Sequence, residues 1–234
     1  MVKQIVNDIK SSQFLSRILD GHNVIMAFVY GSRLIDITDD KSDYDILVIT
    51  DNNERPSHPQ EQLTYDGIKV EWCYKPIESI IDSRREPCDH FASMQLAFLT
   101  EDAIIYENPV YADVIQFLKQ RKDTIGHINA FILYEVMQER VYSILEEGTI
   151  TKRNYTKTLY HLCYASYYLH GEAPNKEFLN AIKRIYEAPV KEEFINLAVA
   201  RLAMLRVFVS NSNFDTDATV ATLDSEVQML LQNN

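Results

Sequence analysis

The chain has 234 residues, 46% of them hydrophobic, and a net charge of −11, which is enough material for one large or two small globular domains. Its first 118 residues carry 20 acidic and only 10 basic side chains, so tight, constitutive binding to long nucleic acid is disfavoured. No apolar run approaches the length of a membrane helix and the N-terminus lacks a signal-peptide pattern, which predicts a cytoplasmic protein without a membrane partner.

The N-terminal part predicts helices followed by a buried strand. Apolar residues at helical spacing between Val2 and Leu19 indicate one long or two short amphipathic helices. The run from Val24 to Tyr30 then has the length and β-branched content of a buried strand, and it stops at Gly31 and Ser32. A glycine at a strand end lets the backbone and the Ser32 hydroxyl approach a phosphate, especially if a short helix starts at Ser32.

A second strand is predicted from Tyr44 to Ile49, with paired carboxylates at its start. Because side chains alternate along a strand, Asp43 and Asp45 share one face. Two neighbouring carboxylates repel each other, so the pair is costly unless divalent cations lie between them and a phosphate. The alternative interpretation is a solvated pair at the end of a loop. Three widely spaced cysteines, with no Cys-x-x-Cys pattern, give no indication of zinc.

A third carboxylate follows in a predicted hairpin. Residues 51–62, with two prolines and no periodicity, predict a mobile loop. Residues 63–74 then predict two strands that turn at Asp66-Gly67, with Glu71 in the second arm. Beyond Lys75-Pro76 we expect a helix that starts at Ile77 and ends near Arg84-Arg85, a helix over 91–99, a short strand over 104–106 and a helix over 111–122.

From residue 128 onward the pattern is helical throughout. Apolar residues recur at three- and four-residue steps, and Gly148, Gly171, Pro174 and Pro189 punctuate them. Five helices are predicted, at about 128–145, 155–169, 177–185, 190–210 and 220–231. The predicted fold class is therefore α+β, with a small mixed sheet in a first domain (1–120) and an all-α bundle in a second (121–234).

Taken together, the N-terminal motifs resemble the DNA polymerase β-like nucleotidyltransferase superfamily. The shared pattern is a strand ending in Gly31-Ser32, a spacer, Asp43-x-Asp45 at the start of an apolar strand, and a later strand carboxylate, Glu71. The superfamily often has Asp at the third position, where this chain has Glu. The helical half is similar more loosely, through Lys157-x-x-x-His161 followed by Leu169-His170-Gly171.

The resemblance implies a metal-dependent transfer of a nucleotidyl group from a nucleoside triphosphate such as ATP. Asp43 and Asp45 would bridge two Mg²⁺ ions, with Mn²⁺ as a substitute, and Glu71 would bind the ion on the nucleophile side. Gly31 and Ser32 would hold the β- and γ-phosphates. Arg33 could neutralise phosphate charge or be an ordinary surface residue. Lys157 and His161, at i and i+4 on one helix face, could also reach the phosphates, or His161 could be a core histidine.

The acceptor stays open at this point. Basic residues favour an RNA 3′ end, namely Arg84-Arg85 after the hairpin and Lys152, Arg153 and Lys157 in the bundle. Aminoglycoside nucleotidyltransferases have a similar plan, and there a bundle glutamate can act as base, for which Glu135 and Glu139 are the candidates. A protein hydroxyl, as in antitoxin-type nucleotidyltransferases, and a non-catalytic regulatory module are the remaining alternatives.

Overall fold

A computed structural model of the chain describes most of both halves. The described residues are 2–11, 13–34, 43–51, 61–65, 67–82, 90–100, 102–148, 151, 158, 161–165, 167, 170, 175, 177–178, 180, 183–184 and 193–232. None of the described helices is long and apolar enough to cross a membrane.

The strands form one five-stranded mixed sheet in the order β3-β4-β2-β1-β5. Their bounds are β1 Val24–Tyr30, β2 Tyr44–Thr50, β3 Glu61–Tyr65, β4 Ile68–Pro76 and β5 Ile104–Glu107. Neighbouring strands are antiparallel except for β2 and β4, which run parallel. The strand predictions for the first half are therefore confirmed. Strands β3 and β4 form the predicted hairpin, because Tyr65 pairs with Ile68 on either side of the turn that contains Gly67.

Helices pack on both faces of the sheet and account for most of the other described residues. Their bounds are α1 Val2–Ser11, α2 Gln13–Leu19, α3 Ile77–Ile81, α4 His90–Thr100, α5 Ala112–Gln120, α6 Lys122–Glu147, α7 Glu193–Asn211 and α8 Thr216–Gln232. Single turns of 3₁₀ helix cover Gly31–Arg33 and Pro109–Tyr111. Between α6 and α7, residues 161–165 are helical too, and no residue described after 120 is in a strand.

Each face of the sheet packs against its own hydrophobic core. Helices α1 and α2 cover one face, where they are buried against alternate residues of the strands. This core includes Val6, Ile9, Phe14 and Ile18 from the helices and Tyr44, Ile46, Val48 and Trp72 from the strands. The other face packs against α3 to α8 through Leu47, Cys73, Leu118, Ile128 and Leu223. This second core includes residues on both sides of position 120, so the division into 1–120 and 121–234 stays a prediction.

Three details differ from the sequence-based expectations. Strand β4 continues through Lys75 to Pro76 rather than breaking before them, because both residues still pair with β2. Helix α3 ends at Ile81, and Arg84-Arg85 lie outside the described residues. Most of the predicted loop 51–62 also lies outside them, but its last two residues belong to strand β3, because Glu61 and Gln62 pair with β4. Its first residue, Asp51, is buried and accepts a hydrogen bond of 3.2 Å from the Tyr111 hydroxyl.

A chain of hydrogen bonds joins β4 to α2 inside the first core. Trp72 Nε1 donates to the Tyr74 hydroxyl at 3.2 Å, and that hydroxyl donates to the Ile18 carbonyl at 3.0 Å. Both rings are almost completely buried. Because buried polar atoms are costly without partners, these bonds fix the position of α2 against the sheet.

Candidate functional site

The parallel pairing of β2 and β4 brings two of the three predicted carboxylates side by side. In the register of these strands Asp45 lies opposite Glu71. Alternation places both on the face that packs against α3 to α8, because their neighbours Leu47 and Cys73 belong to that core. Tyr30, opposite Asp45 on the other neighbouring strand, packs against the same core, and its hydroxyl lies 3.7 Å from Cys73 Sγ.

Gly31 lies against the Asp45 carboxylate at the end of β1. Its φ is +74°, a left-handed conformation that residues with a Cβ rarely adopt. A Cβ built there would lie 2.7 Å from Asp45 Oδ2, which is closer than real Cβ contacts allow. A larger residue at this position would therefore strain the backbone turn and require the Asp45 side chain to shift. The predicted approach of Gly31 to a phosphate is a separate contact, and it stays a prediction.

Lys69 interacts with the other two predicted carboxylates, Glu71 and Asp43. Lys69 lies two residues before Glu71 on β4, so the two side chains share a face. Its ammonium group forms a hydrogen-bonded ion pair with Glu71 and lies 3.9 Å from Asp43 Oδ2. The pKa of Lys69 is raised, most of all by the hydrogen bond with Glu71 and further by the charges of Glu71, Asp43 and Asp45. One ammonium group thus neutralises part of the charge of the three carboxylates.

The donor set suits a hard divalent cation, since carboxylate oxygens are the ligands that Mg²⁺ prefers. The Lys69 ammonium shows that positive charge is accommodated between Glu71 and Asp43. As the side chains stand, however, no three His, Cys, Asp or Glu residues within the described part of the chain are grouped closely enough to hold a metal ion. Binding a metal here would require Lys69 to leave Glu71. About 41% of the Lys69 side chain is exposed, so it can leave without unpacking the core.

The two residues after Gly31 continue into a single 3₁₀ turn. Ser32 lies in this turn, directly after the glycine. Arg33 is buried rather than a surface residue, and its guanidinium carbon lies 4.4 Å from the centroid of the Tyr44 ring. This is cation–π geometry. Tyr44 points to the sheet face opposite that of Asp45, so Arg33 packs beside the first core. The phosphate-binding roles of Ser32 and Arg33 stay predictions.

In the helical half, His161 is buried and contacts α6. Arg140 Nη1 lies 3.2 Å from His161 Nδ1. Arginine can only donate, so this hydrogen bond requires an unprotonated Nδ1. Lys157, its predicted partner on the helix face, lies outside the described residues, as do Lys152 and Arg153. The alternative bases, Glu135 and Glu139, are exposed on α6. None of these placements tests a role in phosphate binding or catalysis, which stays a prediction.

Sequence reasoning missed Lys69. The signal was present, because Lys69 and Glu71 are two residues apart on a predicted strand and must share a face. What the sequence did not show is that β4 lies beside β2, which is the arrangement that brings Lys69 within reach of Asp43.

Comparisons with known proteins add little to this geometry. No family model matches the chain, and no curated protein matches it. Among solved structures, a nucleotidyltransferase-like protein from Exiguobacterium sibiricum is similar over 100% of this chain and 75% of its own, with 14% sequence identity and a TM-score of 0.36. A likeness at that score is too weak to argue from. The class that the residues and geometry define is an α+β protein with a carboxylate site at one end of a mixed sheet.

Proposed function

We propose that this protein transfers a nucleotidyl group from a nucleoside triphosphate to an acceptor hydroxyl and releases pyrophosphate. The observation that carries the proposal is the register of β2 and β4, which pairs Asp45 with Glu71 beside Gly31. Asp43 Oδ2 lies 3.9 Å from the same Lys69 ammonium group that pairs with Glu71. A group of like charges is expensive to maintain without a ligand that uses it.

In this proposal Asp43, Asp45 and Glu71 would hold two Mg²⁺ ions. Such a pair, when bound, neutralises the triphosphate and lowers the pKa of the acceptor hydroxyl. The protein's own contribution is positioning. Strand pairing fixes Asp45 and Glu71, and Gly31 gives the backbone turn that lets Asp45 approach β1. Backbone N–H groups of the turn at Ser32 would bind a phosphate. Lys69, displaced from Glu71, would be available to neutralise phosphate charge.

The acceptor we propose is an RNA 3′ end, with aminoglycosides and protein hydroxyls as the competing acceptors. This choice rests on the sequence alone, because Arg84-Arg85 and the basic residues at 152, 153 and 157 lie outside the described residues. A base at Glu135 or Glu139 belongs to the aminoglycoside alternative.

The test is calorimetry of each nucleoside triphosphate with Mg²⁺ and with EDTA, on the wild type and on Asp45→Asn. We expect a component of binding that requires Mg²⁺ and is lost in the variant. If every triphosphate binds equally in EDTA, or if none binds at all, the metal-dependent site is wrong, and complete absence of binding favours a regulatory module.

The acceptor is tested separately with labelled triphosphates and pools of tRNA, DNA oligonucleotides, aminoglycosides and cell proteins. Label at an RNA 3′ end, falling steeply with added salt, supports the proposed acceptor. Label only on aminoglycosides or only on a protein band overturns the RNA acceptor while leaving nucleotidyl transfer intact.

A further inference from the structure

A second cleft lies at the opposite end of β1, along the edge of the sheet. Strand β5 is the last strand of the described sheet and pairs with β1. Beside it lies a cleft of about 770 Å³, between the end of α1 on one face and helices α4, α5 and α6 on the other. This volume is within the range of small-molecule sites. The backbone groups on the outer side of an edge strand are also available to a ligand.

The charge of the cleft is opposite to that of the whole chain. Lys10, Lys119 and Lys122 line it, against one carboxylate, Glu107. Lys119 Nζ is 2.9 Å from Glu107 Oε1. Among the described residues, no carboxylate lies within ion-pairing distance of Lys10 or Lys122. A chain with a net charge of −11 therefore places a local positive charge in this cleft, which fits a phosphate group carrying nearly two negative charges.

Aromatic rings provide the second part of the site. Phe98 and Tyr106 line the cleft, and each is partly exposed. Lys119 Nζ lies 5.1 Å from the centroid of the Phe98 ring, so the ion pair with Glu107 is held against that ring. Exposed rings beside lysines are the combination that binds a base and its phosphate together.

We propose that this cleft binds a nucleoside phosphate, with the phosphate on Lys10 and Lys122 and the base against Phe98 and Tyr106. The β5 residues that line the cleft pair with Met26, Ala27 and Phe28, three to five residues before Gly31, so roughly 10–17 Å of strand separates the cleft from Gly31. The cleft is thus a second site, and it does not depend on the chemistry proposed for the first. Its ligand is either a free nucleotide or one unit of a single RNA strand, and these share the same chemistry.

The test uses the full-length chain in EDTA, so that binding does not require the metal site. Calorimetry with AMP, with inorganic phosphate and with a short single-stranded oligoadenylate measures the cleft directly. We expect AMP to bind the wild type and the Lys10→Gln/Lys122→Gln variant to bind it about tenfold or more weakly. The matched control, Lys3→Gln/Arg17→Gln, also removes two positive charges, from helices α1 and α2 at positions that do not line the cleft, and should bind like the wild type.

Two further comparisons complete the test. Phe98→Leu keeps an apolar side chain but removes the ring, so it should weaken AMP and leave phosphate unchanged. The Asp45→Asn variant should bind AMP like the wild type, which separates this site from the proposed catalytic one. Tighter binding of oligoadenylate than of AMP identifies an RNA strand as the ligand, and the reverse order identifies a free nucleotide.

Lysines beside an edge strand can also simply prevent it from pairing with another chain. The proposal is wrong if AMP does not bind, if the cleft variant binds it like the wild type, or if the control loses as much affinity as the cleft variant. Self-association of the cleft variant with unchanged AMP binding would assign the lysines to protecting the edge.

Discussion

The two ends of β1 show the same arrangement with opposite charges. At the Gly31 end, three carboxylates accompany one lysine, Lys69. At the other end, three lysines accompany one carboxylate, Glu107. Both counter-charges are well exposed, at 41% for the Lys69 side chain and 39% for that of Glu107. A single displaceable partner lets a protein hold like charges together before a ligand arrives, and its exposure keeps the cost of leaving small.

The largest effect is expected from Asp45→Asn, which should abolish the proposed activity of the carboxylate site without affecting the lysine-lined cleft. This change removes a charge that the proposed metal site needs while keeping the shape of the side chain. Nucleotidyl transfer should fall by about 10³-fold or more, whereas Ser32→Ala should leave measurable activity. The measurement is incorporation of labelled nucleotide, with Asp113→Asn, exposed on α5, as the control. Wild-type turnover in Asp45→Asn would refute the site.

A second prediction concerns the contact between Gly31 and Asp45. Gly31→Ala places a Cβ in a left-handed conformation and against the carboxylate. Gly21→Ala is the matched control, since Gly21 has a φ of +72° but nothing within 4 Å of its added Cβ. Each should lose about 1–2 kcal/mol of stability from the backbone strain. Only Gly31→Ala should also lose activity, by about tenfold or more, because Asp45 is displaced. Equal activity losses would show that the contact has no role.

Lys69→Met should sharpen the comparison by removing the counter-charge of the acidic end. In this variant Mg²⁺ no longer competes with an ammonium group for the carboxylates of Glu71 and Asp43. The affinity of the nucleotide-free protein for Mg²⁺ should therefore rise by about three- to tenfold. Lys119→Met is the control, because Lys119 is equally exposed and pairs with a glutamate at the other end. The measurement is calorimetric titration of the wild type and both variants with Mg²⁺. An unchanged Mg²⁺ affinity in Lys69→Met would mean that the lysine does not occupy the metal position.

The smallest expected effect is the mirror experiment, Glu107→Gln. Removing the lone carboxylate releases Lys119 and should raise the affinity of the cleft for AMP by about two- to threefold, since exposed ion pairs are weak. Glu226→Gln, which breaks the ion pair between Glu226 and Arg121, neither of which lines the cleft, should leave AMP binding unchanged. A weaker rather than stronger AMP interaction in Glu107→Gln would indicate that Glu107 positions Lys119 for the ligand.

Local patterns predicted the strands and most helices correctly, because their signals lie within a few residues. The run from Val24 to Tyr30 and the turn at Gly67 are examples. The sequence also placed Asp43 and Asp45 on one face from alternation alone. It did not show that β4 pairs with β2 in parallel, because strand order depends on contacts between distant segments. Asp45 and Glu71 could each be proposed from the sequence, but their position opposite each other on paired strands could not.

The surroundings of single polar residues were harder to predict than the elements that carry them. For Arg33 the sequence left two interpretations, a phosphate contact and an ordinary surface residue. In the structure Arg33 is buried against the Tyr44 ring. His161 was open between phosphate binding and the core, and its hydrogen bond with Arg140 depends on the packing of two helices. In both cases the residue that contacts the side chain is one that no local pattern identifies, and the phosphate-binding role stays a prediction.

The hydrogen-bonded Trp72 has a practical consequence for solution work. It is the protein's single tryptophan, and it points to the face of β4 opposite Glu71. Its fluorescence should therefore report whether the N-terminal helices are docked on the sheet. The same emission should respond little to ligands at the carboxylates, one residue away along the strand. A change in tryptophan emission on adding nucleotide would signal movement of the α2 layer rather than direct quenching.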